Sequence, residues 1–225
     1  MSRGELKARV QRLLSAQDFD EAVLQLQEMP GQKVVNLLFP LLYAGDERLK
    51  MRAVRAMGAV VARLADENME AARVIIRRFM WNLNDESGGI GWGSAEAMGE
   101  ILAQHEGLAQ EYAPILLSYA RKDGNFQEHE MMQRGVLWGM GRLAQVKPEM
   151  VKDAVPYMAP FLESPDPLVR GHAVWVIGMT VPGAYRDDLK SLLTDDTEIQ
   201  IWMDQKPITR RISDLAEEAV GLAET

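Results

Sequence analysis

Cysteine and histidine are the first residues to consider for chemistry. The 225-residue chain contains no cysteine, which excludes disulfides, thiol nucleophiles and thiolate metal sites. Its three histidines, His105, His129 and His172, lie far apart and form no H-E-x-x-H or comparable spacing. No nucleophilic triad is visible either. The sequence therefore predicts no bound metal and no cofactor.

A glycine-rich turn over residues 82–94 has the composition of an anion site. Its backbone N–H groups can line the N-terminus of the helix that follows, where negative charge is favoured. The lysine of a Walker loop is absent, and an acidic pair would repel phosphate unless a metal intervened. An ordered turn whose glycines supply positive φ is the alternative, with Asp85 or Ser87 as the helix cap. The candidate residues of this turn are Asp85, Glu86, Gly88, Gly89 and Gly91.

The chain that must position these residues repeats itself. Residues 40–58 align with residues 160–178 without gaps, at an offset of 120. Five marker glycines follow similar stretches of small and apolar residues, at spacings of 41, 42, 37 and 43 residues. Such a period fits two helices and two turns per unit. The marker glycines are Gly58, Gly99, Gly141, Gly178 and Gly221.

The second helix of each unit carries a family resemblance. Its pattern is clearest in residues 169–178 (VRGHAVWVIG) and resembles the HEAT-repeat family, in particular the short bacterial PBS-lyase-like type. The resemblance covers roughly residues 31–182 and implies an all-α fold, an α–α superhelix in which helical hairpins stack into a solenoid. This family includes scaffolds, bilin-attachment proteins and, in a related branch, DNA-repair enzymes.

The two ends depart from the repeat. Residues 3–15 and 19–29 have the pattern of amphipathic helices with Asp18 as an N-cap, so we expect residues 1–30 to form an N-terminal helical cap. Residues 31–182 hold four repeats. Residues 183–225 form a divergent fifth repeat with an inserted β-hairpin, whose strands are expected at 198–203 and 208–212. We expect one continuous domain.

A stripe of aromatic and charged residues is predicted on the solvent-facing side of the second helices, which line the inner, concave surface of a HEAT array. Because the residues before each glycine face the core, the positions seven, six and three residues earlier should face outward, on the concave surface of a HEAT array. Tryptophan beside arginine suits a protein, a peptide or a small planar ligand. If the register differs by one residue, the tryptophans are buried between helices instead. The inner stripe consists of Arg52, Arg55, Trp92, Glu96, Arg134, Trp138, His172 and Trp175.

Four residues of the inner stripe carry a second resemblance. Trp92, Glu96, Arg134 and Trp175 stand in an order similar to that of HEAT-like alkylpurine DNA glycosylases, which implies that Glu96 stabilises positive charge on the sugar. The sequence departs in having Glu96 where that family has Asp, and in lacking abundant Lys and Arg. The PBS-lyase-like resemblance implies a bilin lyase as a further alternative.

Charge and hydropathy restrict the partners. Thirty-three acidic and 25 basic residues give a net charge of −8, which disfavours nucleic acid and anionic membranes. No apolar run approaches the ~18 residues of a membrane span, and the first residues lack the apolar core of a signal peptide. We therefore expect a cytoplasmic HEAT-repeat protein that binds a protein, a peptide or a small planar ligand; catalysis is left open, with the glycosylase and the bilin lyase as the enzymatic alternatives.

Overall fold

The computed structural model describes residues 2–85, 91–203 and 206–222, and these are mostly helical. Short 3-10 segments cover Phe39–Tyr43, Lys152–Tyr157 and Pro182–Tyr185. The α-helices are α1 (Arg3–Leu14), α2 (Phe19–Gln27), α3 (Gly31–Leu38), α4 (Glu47–Glu67), α5 (Met69–Leu83), α6 (Ser94–Gln104), α7 (Glu106–Ser118), α8 (Glu130–Val146), α9 (Pro148–Val151), α10 (Ala159–Leu162), α11 (Pro167–Thr180), α12 (Arg186–Lys190) and α13 (Ile212–Leu222).

Side-chain caps start several of these helices. The carboxylates of Asp18, Asp46 and Asp166 accept hydrogen bonds of 2.9–3.3 Å from backbone N–H groups two or three residues further on. Each bond satisfies an N–H group that has no partner within the helix. The Asp18 cap and the helices predicted over residues 3–15 and 19–29 are confirmed.

The predicted hairpin is also present. Strand β1 (Glu198–Met203) pairs antiparallel with β2 (Lys206–Arg211), with Ile201 opposite Ile208. Ile199 and Ile201 are buried and alternate with the exposed Glu198 and Gln200, so one face of β1 packs on α11. The helix that follows begins at Ile212, one residue before the predicted start.

The chain divides into two compact units, residues 1–110 and 111–225. In the first unit, α4 packs against α6, with α3 and α5 also in contact with α4. In the second unit, α11 contacts both α8 and α13. The fold class is confirmed: helical pairs build both units, and a small β-hairpin precedes the last helix. The boundaries predicted for the cap, the four repeats and the fifth repeat stay a prediction.

Three of the marker glycines lie where second helices of successive repeats cross. A methyl group at Gly58 would lie 2.5 Å from Cγ of Glu100 on α6, and one at Gly178 would lie 3.0 Å from Cβ of Ala219 on α13. At Gly141 the methyl group would meet the indole ring of Trp175 on α11. At these three positions glycine is therefore a packing requirement, because it lets a neighbouring helix approach.

Candidate functional site

The two arginines of the inner stripe in α4 hold the N-terminal helices. Nη1 of Arg52 donates to the carbonyl oxygens of Leu14 and Ala16, at 2.7 and 2.8 Å, at the C-terminal end of α1. The Arg55 guanidinium pairs with Asp20 of α2 at 2.5 Å. Positive charge at the end of a helix is favourable there, since the last carbonyl groups lack helical partners. Both side chains are thus engaged within the first unit.

Glu96 forms a buried ion pair. Its carboxylate lies 2.9 Å from Nζ of Lys50, and the two side chains are only 8% and 16% exposed. Burial alone would lower the pKa of Lys50, but the carboxylates of Glu96 and Glu47 outweigh it and raise that pKa above its ordinary value. Glu96 therefore joins α6 to α4 and does not face solvent.

Arg134 is held by the cap of the next helix. Its Nε and Nη2 atoms lie 2.7 and 2.5 Å from Oδ2 of Asp166, the residue whose Oδ1 caps α11. Burial alone would raise the pKa of Asp166, yet the Arg134 guanidinium and the backbone N–H groups of Val169 and Leu168 bring it below its ordinary value. The arginine of one repeat thus fastens the helix start of the next.

A cation joins neighbouring elements at a recurring position. Lys50 and Arg170 are equivalent at the offset of 120 residues. Nε and Nη2 of Arg170 lie 3.0 and 2.9 Å from Oδ2 of Asp195, as Lys50 pairs with Glu96. These contacts connect successive repeats within each unit, so they serve packing.

Three further residues of the inner stripe are buried in the second unit. Trp138, His172 and Trp175 are 8%, 6% and 3% exposed. Nε1 of Trp138 donates to the carbonyl oxygen of Trp202 on β1 at 2.9 Å, and the rings of His172 and Trp175 have centroids 6.4 Å apart. These aromatic side chains therefore pack between α8, α11 and the hairpin.

The predicted outward orientation is wrong for Glu96, Trp138, His172 and Trp175. A second helix in a repeat stack contacts its own first helix and the second helices of its neighbours, so less of its surface reaches solvent than the pattern before the glycine suggests. The tryptophans of the second unit follow the buried alternative. Trp92 is 41% exposed.

Part of the glycine-rich turn is described. Asp85 is half-buried and Gly91 is buried, while Glu86, Gly88 and Gly89 lie outside the described residues. Gly93 ends the turn with φ of +70°, and a methyl group there would lie 2.7 Å from the carbonyl oxygen of Leu42. Only glycine adopts that conformation readily, and close packing adds to the requirement. The turn's role in binding stays a prediction.

Exposed aromatic residues lie instead on the first unit. Trp81 is 64% exposed on α5, and Arg78 lies one turn earlier on the same helix, its guanidinium 3.6 Å from the centre of the Phe39 ring. Tyr43 is 38% exposed, and its hydroxyl accepts a hydrogen bond of 3.4 Å from the amide of Asn82, the residue after Trp81. Burial raises the pKa of the Tyr43 phenol, and the charge of Arg78 offsets part of that increase.

Trp92 is the third exposed aromatic residue of the first unit. It precedes Gly93, where an added methyl group would lie 2.7 Å from the carbonyl oxygen of Leu42, the residue before Tyr43. We define the aromatic patch as Tyr43, Arg78, Trp81 and Trp92. Sequence reasoning found only the last of these, because it considered second helices alone.

The helical period of α5 contained the missing signal. The apolar positions Ile75, Ile76, Phe79 and Leu83 form one buried face. Trp81 falls outside that face, and an apolar residue on the polar side of a first helix is the sign of a contact surface.

A metal-binding group and a membrane-spanning helix are two further features to consider in the described residues. Within residues 2–85, 91–203 and 206–222, no group of three or more His, Asp or Glu side chains could hold a metal ion. Across the same part of the chain, no helix has the length and hydropathy needed to cross a membrane.

Comparisons with known proteins bear on the class of the fold. An engineered protein solved by the Northeast Structural Genomics Consortium is similar with a TM-score of 0.57 and 16% identity, over 100% of this chain and 97% of that chain. A designed armadillo repeat protein in complex with the peptide (KR)4 is similar with a TM-score of 0.53 and 15% identity, over 97% of this chain and 99% of that chain. Identities this low show the fold alone, which is that of helical repeat proteins.

Sequence comparisons refine the class. Residues 130–179, from the start of α8 to the end region of α11, match the family model of the HEAT-like repeat. The resemblance to the HEAT-repeat family is thereby confirmed; the PBS-lyase-like subtype stays a prediction. An uncharacterized protein of Archaeoglobus fulgidus is 29% identical over 137 residues, covering 59% of this chain. The match spans 62% of that relative, less than two thirds of its length.

Proposed function

We propose that this HEAT-repeat protein binds a protein or peptide partner, and that the aromatic patch of the first unit is part of the contact surface. The observation that carries the proposal is the unequal exposure of the five tryptophans. Trp81 and Trp92 are 64% and 41% exposed, whereas the other three are at most 9% exposed. Two indole rings in solvent, on a chain able to bury three others, indicate a surface that a partner covers.

The composition of the aromatic patch also supports a role in binding a protein partner. Tryptophan, tyrosine and arginine are the residues most enriched at energetic hot spots of protein interfaces. At 64% exposure, Trp81 offers about 150 Å² of mostly apolar surface, worth up to about 4 kcal/mol when a partner removes it from water. The peptide complex of the designed armadillo repeat protein supports the same use of a similar fold.

The alternative enzymes gain no support from the described residues. A glycosylase would need Glu96 accessible to a nucleotide, but Glu96 pairs with Lys50 inside the first unit. Arg134 is held by Asp166, and Trp175 is buried. No observation favours a bilin lyase.

A pair of matched variants tests the proposal. Trp81→Ala/Trp92→Ala removes both exposed rings, and Leu24→Ala removes a 58% exposed apolar side chain on α2, outside the patch. Proteins captured from an extract of the source organism are quantified by mass spectrometry, and the affinity of each specific partner is then measured with purified components. We expect the double variant to bind at least about 30-fold more weakly, the loss typical of one hot-spot residue, and Leu24→Ala to bind normally. Equal binding by all three proteins, with unchanged circular dichroism, contradicts the proposal.

A further inference from the structure

A cleft separates α1 from α3 and the 3-10 segment that follows it. Two adjoining cavities of about 570 and 580 Å³ share Arg3, Asn36 and Leu37 in their walls. Leu6 and Val10 of α1 line one side, and Pro40 and Leu41 the other. Its lining on α1 extends to Gln11, so the cleft runs for about 12 Å along that helix at 1.5 Å per residue. The apolar surface that a partner can reach consists mainly of Leu37, Pro40 and Leu41, because Leu6 and Val10 are themselves buried.

The charge of this cleft is opposite to that of the whole chain. Arg3 and Lys7 stand on α1, Lys33 stands on α3, and among the described residues no aspartate or glutamate lines either cavity. All three cations are exposed and form no ion pair with any carboxylate in the part of the chain that the structure describes. By contrast, Lys50 and Arg55 of the same unit are both paired. Cations left unpaired in a chain of net charge −8 are available to an external anion.

We propose that this cleft binds an acidic amphipathic helical segment of a partner protein. The length of the cleft matches about two turns of a helix, the apolar floor matches one face of such a helix, and the cations on both walls match carboxylates along its edges. In the part of the chain that the structure describes, no aromatic side chain lines the two cavities for base stacking, and three cations are few for a nucleic-acid backbone.

The cleft adjoins the aromatic patch. Asn36, in the wall of both cavities, accepts a hydrogen bond of 3.2 Å from Nη1 of Arg78. One partner can therefore place a helix in the cleft and cover the exposed indoles beside it. This inference rests on the proposed protein-binding function and specifies the chemistry of the partner.

The test uses a synthetic peptide as the probe. A fluorescein-labelled, 14-residue peptide of leucine and glutamate has its leucines on one helical face, and a second peptide has the same composition in an order that spreads the leucines around the helix. Binding to the full-length protein is measured by fluorescence anisotropy in about 50 mM and about 300 mM salt, where ion pairs are progressively screened. We expect the amphipathic peptide to bind with micromolar affinity, more weakly at the higher salt, and the scrambled peptide to bind at least about tenfold more weakly.

Two charge-reversal variants locate the site. Arg3→Glu/Lys7→Glu/Lys33→Glu reverses the charge of the cleft, and Lys122→Glu/Lys152→Glu/Lys206→Glu makes the same change in net charge at exposed positions of the second unit. We expect the cleft variant to bind the amphipathic peptide at least about tenfold more weakly than the unchanged protein, and the control variant to lose less than about threefold in affinity. Equal losses, binding of both peptides alike, or no binding of the amphipathic peptide overturns the inference. Preferential binding to phosphatidylserine vesicles through the same three cations also overturns it.

Failure of the inference is distinguishable from failure of the proposed function. If Trp81→Ala/Trp92→Ala loses its protein partner while the peptide does not enter the cleft, the inference fails and the proposed function stands. If the peptide binds the cleft but the tryptophan variant keeps every partner, the aromatic patch is not the contact surface, and the cleft alone is retained.

Discussion

Replacement of Gly141 by alanine probes the helix crossing on which the second unit depends. A methyl group at this position would overlap Cε3 and Cζ3 of the Trp175 ring and lie 3.0 Å from its Cδ2 atom. Trp175 is 3% exposed, so its ring cannot turn toward solvent and must displace its neighbours. Overpacking of this kind costs about 1–3 kcal/mol, and a rigid ring places the cost near the upper end.

The helix itself opposes part of that loss. Alanine in a helix interior is more favourable than glycine by about 1 kcal/mol. We therefore expect a net loss of about 1–2 kcal/mol in the free energy of unfolding, which lowers the urea midpoint by about 0.5–1 M for a slope near 2 kcal/mol per M. Unfolding followed by tryptophan fluorescence and by circular dichroism at 222 nm measures the change.

Gly221 provides the matched control. It is also a marker glycine in the second unit, but a methyl group there would meet no atom of the described residues within 4 Å, so Gly221→Ala should be neutral or slightly stabilising. Trp175→Leu should remove most of the cost of Gly141→Ala in a double-mutant cycle. If Gly141→Ala stabilises the protein as Gly221→Ala does, or if its effect is independent of Trp175, the packing argument is refuted.

Two ion pairs give the remaining predictions. Glu96→Gln leaves Lys50 partly buried with Glu47 as its remaining partner, so we expect a loss of about 2–3 kcal/mol, below the range for a fully buried pair. A Lys50→Met/Glu96→Leu variant should regain most of this lost stability, as measured by urea unfolding. If the double variant is as unstable as Glu96→Gln, the partly buried charge of Lys50 is not the cause of the loss. The folded pKa of Asp166 lies below its unfolded value near 4, so its stabilisation is complete above that pH and is lost as the pH falls through the folded pKa. Asp166→Asn should be less stable at pH 7 and lose less on acidification from pH ~5 to ~2. Parallel stability curves of the two proteins would exclude this role of Asp166.

The sequence predicted the fold well but misplaced several residues of the candidate site. The helix caps and the hairpin depend on residues close in sequence, and the glycine period marks helix crossings at Gly58, Gly141 and Gly178. Asp18 could therefore be identified as a cap from its neighbours alone. The environment of Trp175 instead depends on Gly141, 34 residues away, and that of Glu96 on Lys50, so local periodicity could not show that either side chain is buried.

The aromatic patch could have been found from the helical period of α5, but by looking for apolar residues outside the buried face. A helical period defines a buried face reliably, but it does not say which polar positions a neighbouring repeat covers. Arg55 and Arg134 are polar and pair within their own units, whereas Trp81 is apolar and faces solvent. The informative sign was a large apolar residue outside the buried face of α5.

Asp166 serves two neighbours at once, which has a consequence for how the second unit unfolds. One oxygen of its carboxylate caps α11, and the other is held by Arg134 of α8. The carboxylate that caps α11 is therefore hydrogen-bonded through both oxygens only when α8 is docked against it. In an array whose stability is the sum of repeat and interface contributions, such sharing strengthens the interface relative to the repeat. The two helices should accordingly lose their amide protection in hydrogen exchange together, as one cooperative element, and not in succession from the C-terminal end.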